Sequence, residues 1–205
     1  MMKTRVVILI SGSGTNMVAL VEASRKNNFP AEVVAVLSDN SEAEGIAKAK
    51  SLGIPAYIID RKNFSNKVAF ETALLEQIDA CRADIICLAG FMRLISASII
   101  TPYEGRILNI HPALLPLFKG LHTHQRALDA GVKISGCTVH LVTEGMDEGD
   151  ILGQAAVPVL ENDTADSLGA RILTVEHQLY PATLRAFIEG KHHGVDANQK
   201  LISFF

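Results

Sequence analysis

The sequence predicts an α/β protein on a doubly wound, mainly parallel sheet with antiparallel strands at one edge. Short apolar runs alternate with helical patterns along the first half of the chain. A glycine-rich loop joins the first of these runs to the first helix. Two later runs, 136–142 and 151–157, lie too close together for a helical crossover. Strand–helix–strand alternation gives parallel pairing with right-handed crossovers, whereas strands this close pair antiparallel.

The first run, Val6-Val-Ile-Leu-Ile10, is continuous and largely β-branched, as a central strand covered on both faces should be. It enters Ser11-Gly-Ser-Gly-Thr-Asn16, after which Met17, Leu20 and Val21 fall at helical spacing. Strand, glycine loop and helix aim backbone N–H groups and a helix dipole at an anion, most often phosphate. A dinucleotide fingerprint would need glycine where Met17 stands, and a Walker A loop would need a lysine that the loop lacks. The remaining readings are a cradle for a monophosphate and a plain turn that requires glycine.

Residues 32–37 form a second strand, closed by Ser38-Asp-Asn40, and a helix from about Glu42 to Leu52 stops at Gly53. Residues 56–59 are a third strand. A helix from about Ser65 to Cys81 carries Val68, Ala69, Leu74, Leu75 and Ile78 on its apolar face. The fourth strand, Ile85-Ile-Cys-Leu88, ends in Ala89-Gly-Phe-Met-Arg-Leu-Ile95, which reads as a hydrophobic ligand wall or as core beneath a loop. The fifth strand covers 107–110. The run 136–142 alternates, with Thr138, His140 and Val142 on one face. A last helix spans about Thr164 to Glu189 with a stripe of Leu168, Ile172, Val175 and Leu179, and Pro181 is expected to kink it. Leu201-Ile-Ser-Phe-Phe205 is expected to add an edge strand or a helix cover. No linker or repeat divides the chain, so residues 1–205 are expected to form one domain.

Composition narrows the function. Apolar residues make up 48% and charged residues 20% of 205, with a net charge of −3. That balance gives no reason to expect nucleic acid or an anionic membrane as a partner. Lys3 and Arg5 precede an apolar run too short for a signal peptide. The three cysteines form no C-x-x-C pair, which suits a reducing, cytoplasmic setting.

Asn109 and His111 sit two residues apart at the end of a strand, so both point the same way. An amide donor beside an imidazole suits a reaction that builds charge on a carbonyl oxygen and moves protons. A capping asparagine beside a surface histidine is the alternative. The loop Thr143-Glu-Gly-Met-Asp-Glu-Gly-Asp150 is either a solvated turn or the carrier of a carboxylate, Asp147, that orients His111 and fixes its tautomer. His111, His122, His124 and His140 invite a metal reading. Only His122-x-His124 has close spacing and no cysteine pair supports it, so no metal is expected.

Four motifs occur in order: Ser11-Gly-Ser-Gly-Thr-Asn16, Ala89-Gly-Phe-Met-Arg93, Leu108-Asn-Ile-His-Pro-Ala-Leu-Leu-Pro116 with Gly120, and Met146-Asp-Glu-Gly149. Together they resemble the folate-dependent phosphoribosylglycinamide formyltransferase family of purine synthesis, from Val6 to about Tyr180. The resemblance implies a Rossmann-like formyltransferase fold, with residues 1–100 serving the ribonucleotide and 101–205 catalysis and folate. It implies that Gly14, Thr15 and Asn16 hold the 5′-phosphate and that Glu176 binds the ribose hydroxyls. Met92, Arg93, Leu94 and Ile95 would wall the pterin pocket. The loop of Thr143, Glu144, Gly145, Met146 and Asp147 would close over the same ring, and Lys67 would lie near the benzoyl-glutamate tail. Asn109, which also borders the folate, and protonated His111 would stabilise the oxyanion, with Asp147 holding the histidine. The co-substrate would be 10-formyltetrahydrofolate with no metal, acting on phosphoribosylglycinamide in a monomer or homodimer. Ala113 departs from the serine of many relatives, with only a local packing change expected.

Three other readings compete, and the residues argue against each. A formyltetrahydrofolate hydrolase shares the Asn-His-Asp core but normally adds an amino-terminal regulatory domain. A methionyl-tRNA formyltransferase needs a basic RNA-binding domain. A non-catalytic nucleotide-binding module would use Asp39, at the end of the second strand, to read a ribose.

Overall fold

The structure, a computed structural model, describes residues 3–191, so the reading of Leu201–Phe205 lies outside the described residues. The chain opens with β1 (Thr4–Ile10), α1 (Thr15–Ser24), β2 (Ala31–Ser38), α2 (Glu44–Ser51) and β3 (Ala56–Ile58). It continues through α3 (Lys67–Ala80), β4 (Ile85–Leu88), α4 (Ala97–Ile100) and β5 (Ile107–His111). The last elements are α5 (Thr123–Asp129), β6 (Ile134–Leu141), β7 (Ile151–Pro158) and α6 (Ala165–Ile188).

One seven-stranded sheet runs in the order β3-β2-β1-β4-β5-β6-β7. Pairing is parallel from β3 to β5, and β6 lies antiparallel to both β5 and β7. The doubly wound sheet and its antiparallel edge are as the spacing predicts. Chain order reverses between β1 and β4, and open α/β sheets bind ligands at such a switch point. There the Ser11 N–H donates to the Gly90 carbonyl across 3.1 Å.

Period-two alternation divides the core. Val6, Ile8 and Ile10 pack with Met17, Leu20, Ile46, Ile172 and Tyr180 on the face of α1, α2 and α6. Val7 and Leu9 pack with Phe70, Leu74, Ile78 and Ile99 on the face of α3 and α4. Each such side chain contributes about 1.5–3 kcal/mol on full burial, so β1 is the best-anchored strand.

Three expectations are corrected. Val68 is 74% exposed and Ala69 also faces solvent, whereas Phe70, Leu74 and Ile78 are buried. Asn66 accepts the Ala69 N–H at 2.9 Å, and the start it fixes turns the first residues of α3 outward. The short helix α5 was not foreseen, because His122 at its start has left-handed backbone (φ 57°) and offers no side-chain cap. α6 runs from Ala165 to Ile188 with Pro181 inside it and starts from a reciprocal Thr164–Ser167 capping box. The α6 stripe also holds more than the four expected residues: Glu176, Tyr180 and Leu184 are buried along with Leu168 and Ile172.

Candidate active site

β5 delivers Asn109 and His111 to the crevice. The β5–β6 register sets Asn109 opposite His140 and His111 opposite Thr138. His111 is buried at 5% exposure, which removes the reading of a surface histidine. Its Nε2 lies 2.9 Å from the Phe118 carbonyl. A carbonyl only accepts, so Nε2 carries a proton and donates. Nδ1 lies 3.3 Å from Asp147 Oδ2. The carboxylate therefore faces the imidazole from the side opposite Phe118 and orients the ring.

Two segments meet to build this pair. Gly120 donates its N–H to Asp147 Oδ2 at 2.9 Å, and Lys119 pairs with Glu148 at 3.0 Å. Phe118 (φ 55°) and Asp147 (φ 52°) both adopt left-handed backbone, a conformation that aspartate tolerates and a bulky residue resists. Burial pushes the Asp147 carboxyl up. The neighbouring His140, the Gly120 N–H and the His111 imidazole outweigh it and leave the group below the usual carboxylate range.

His140 completes the network. Its Nε2 lies 3.2 Å from Asn109 Nδ2 and 3.5 Å from Asp147 Oδ1, while its Nδ1 donates to the Leu141 carbonyl at 2.8 Å. Sequence reasoning placed His140 on one strand face with Thr138 and weighed it only as a metal ligand, because the β5–β6 register is not written in either strand alone. Thr138 Oγ1 beneath it donates to the Ala113 carbonyl and accepts from the Leu115 N–H. These bonds hold the turn that leads to Phe118.

The opposite end of the crevice is the loop after β1. Gly14 has φ 69°, and a Cβ there would stand 2.8 Å from the Gly45 Cα. Only glycine fits both the backbone and the space. The first turn of α1 presents N–H groups without intrahelical partners. Asn16 is buried, and its Nδ2 donates to Glu176 Oε2 at 2.6 Å. Glu176 is thus no solvated helix residue. Burial pushes its carboxyl above the usual range, and the Asn16 hydrogen bond opposes that rise only partly.

Between these ends runs residues 92–95. Met92 and Leu94 are 72% and 63% exposed, whereas Ile95 is buried in the core with Phe91. Arg93 Nε donates to Asp39 Oδ2 at 2.7 Å. Asp39 is therefore committed to an arginine and not left open to a ribose. Lys67 lies on the exposed start of α3, 3.6 Å from Glu71. The structure thus brings Asn109, His111 and Asp147 together, joins Asn16 to Glu176, and keeps residues 143–146 on the segment that carries Asp147.

The chain matches the formyl transferase family model over residues 4–184. It is similar to the phosphoribosylglycinamide formyltransferase of Escherichia coli K12, with 40% identity over 91% of this chain and 88% of that protein. The trifunctional purine biosynthetic protein adenosine-3 of Bos taurus is 44% identical over 92% of this chain, which spans only 19% of that much longer protein. The crystal structure of the Brucella melitensis phosphoribosylglycinamide formyltransferase superposes with a TM-score of 0.88 at 60% identity, covering 95% of this chain and 98% of that one. On the match over residues 4–184, the chain belongs to the formyl transferase family.

Proposed function

We propose that this chain transfers the formyl group of 10-formyltetrahydrofolate to the amine of 5-phosphoribosylglycinamide, the reaction of purine synthesis named by its relatives. The observation that carries the reading is the Asp147–His111 pair with Asn109 next to it on β5, at the same strand ends of the sheet as a glycine loop at a helix start. The E. coli and B. melitensis relatives support the substrate.

The neutral glycinamide amine attacks the formyl carbon. A C–N bond forms, and the carbonyl oxygen takes up negative charge. Asn109 Nδ2 and the His111 Nε2–H, which Phe118 otherwise accepts, donate to that oxyanion. Asp147 keeps the imidazole aimed. As the bond from the formyl carbon to N10 breaks, the proton lost by the amine passes to N10, through His111 or an ordered water. The one-carbon unit comes with the folate, which acts as co-substrate.

The substrates divide the crevice. N–H groups of Gly14, Thr15 and Asn16 take the phosphate, and Glu176 takes the ribose hydroxyls. Met92 to Ile95, with the loop of Thr143, Glu144, Gly145 and Met146, enclose the pterin, and Lys67 meets the glutamate tail. The roles thus cross the two halves, with Lys67 and Met92 to Ile95 of residues 1–100 on the folate and Glu176 of residues 101–205 on the ribose, in a cytoplasmic monomer or homodimer.

The test is a formyl-transfer assay with the ribonucleotide and a 10-formylfolate donor. Turnover that requires the ribonucleotide supports the reading. Folate consumption without it would make the protein a hydrolase.

A further inference from the structure

Residues 92–95 combine features that rarely go together. The side chains of Met92 and Leu94 stand in solvent and only that of Ile95 is buried, so hydrophobic burial holds the segment at one residue. Polar bonds from outside the segment hold the rest. At its start the Met92 N–H donates to Ser11 Oγ at 2.8 Å, and Arg93 Nε meets Asp39 at the end of β2. At its end the Ser96 N–H donates to Glu71 Oε1 at 2.9 Å, and the Ser96 and Ser98 hydroxyls donate to Glu71 Oε2.

Both carboxylates are almost fully enclosed: the Asp39 side chain is 2% exposed and that of Glu71 3%. Among the described residues Asp39 Oδ1 has no hydrogen-bond partner, and the Arg93 ion pair to Oδ2 supplies the compensating charge. Parting a buried carboxylate from its cation is costly, and the arginine is therefore held in place. Arg93 itself is half exposed, at a cavity of about 330 Å³ also bordered by Ser11, Lys62 and Met92. Glu71 additionally lies 3.6 Å from Lys67 Nζ. One carboxylate thus sets both the end of the segment and the lysine placed near the folate tail.

We infer that Asp39 and Glu71 are positioning residues, a two-ended clamp that preforms residues 92–96 as the folate-binding wall. Neither carboxylate touches the substrate; each acts through the main chain and Arg93. The inference rests on the folate assignment made above. A wall fixed before binding spares the ligand the ordering of a loop.

The test uses Asp39→Asn and, from the other end, Glu71→Gln, with two readouts. Amide hydrogen exchange across 91–96 is expected to quicken in both variants, while exchange in β5 stays as in the wild type. The KM for the formylfolate is expected to rise about tenfold, the scale of one lost charge-assisted hydrogen bond. The ribonucleotide KM and kcat should stay within about twofold, a split that general loss of stability would not give. Unchanged exchange in both variants overturns the clamp. Faster exchange with an unchanged folate KM overturns its role in folate binding. A wild type that transfers no formyl group sinks the proposed function instead, and the exchange data then judge the clamp alone.

Discussion

Asn109 Nδ2 lies 3.2 Å from His140 Nε2, so an amide on β5 is aimed by an imidazole on its antiparallel neighbour. Because the His140 Nδ1 donates to the Leu141 carbonyl, a neutral ring leaves Nε2 free to accept from Asn109. His140→Ala should release the amide without removing it. The expected loss in kcat is substantial but below the roughly 10²–10³ that removing an oxyanion donor outright costs. Steady-state kinetics beside Asn109→Ala would show the order; equal losses would mean that His140 does more than aim the amide.

Asp147→Asn keeps the size of the side chain and removes the charge that faces both imidazoles. Formyl transfer should fall by about 10²–10⁴, the range of general acid–base contributions. The same group has a linkage signature. Its folded carboxyl titrates below the reference 3.8, so its stabilisation is present above that value and is lost as pH falls through the lowered one. Acid titration of stability should be shallower in Asp147→Asn than in the wild type.

Glu176 should behave oppositely. Its folded carboxyl titrates above the reference 4.5. Between the two values the folded state holds more protons than the unfolded one, so its contribution to stability declines as pH rises through that window. Glu176→Gln keeps an oxygen for Asn16 and removes the buried charge. Melting curves are expected to coincide with the wild type near pH 4 and to lie higher for the variant at pH 7. A variant that melts lower at pH 7 would show that the Asn16 bond outweighs the burial of charge.

Gly14→Ala tests the cradle. The added Cβ meets backbone at 2.8 Å in a left-handed residue, and that conformation alone costs about 1–2 kcal/mol. The ribonucleotide KM should rise while the folate KM holds. Titration with inorganic phosphate should weaken in parallel.

Tyr180→Phe should cost about 1–3 kcal/mol, because the strand carbonyls lose a buried donor. The Tyr180 hydroxyl lies 3.1 Å from the Leu88 carbonyl and 2.9 Å from that of Leu108. Chemical denaturation would measure the loss.

The frame was legible because its signals are local. Val6–Ile10, Ile85–Leu88 and the glycine loop each carry their own evidence, and the close spacing of the last two strands forces them antiparallel. Asn109 and His111 were legible because strand periodicity alone puts them side by side. What escaped depends on distant pairing. His140 gains a role only when β6 lies in register with β5. Asp39 was weighed as a ribose reader, and its actual partner, Arg93, is 54 residues away. Phe70 escaped for a different reason: the cap at Asn66 decides which face of α3 turns inward, and a one-residue change there exchanges core for surface.

The Asn16–Glu176 hydrogen bond spans 160 positions of the chain. A ribosome must therefore have made α6 before the glycine loop meets its carboxylate. Until α6 docks, a nascent chain can hold β1 and its glycine turn yet leave Asn16 without Glu176. On the role proposed for this pair, ribonucleotide binding reports on the docking of α6, and a chain released before α6 would carry the loop with nothing to close it.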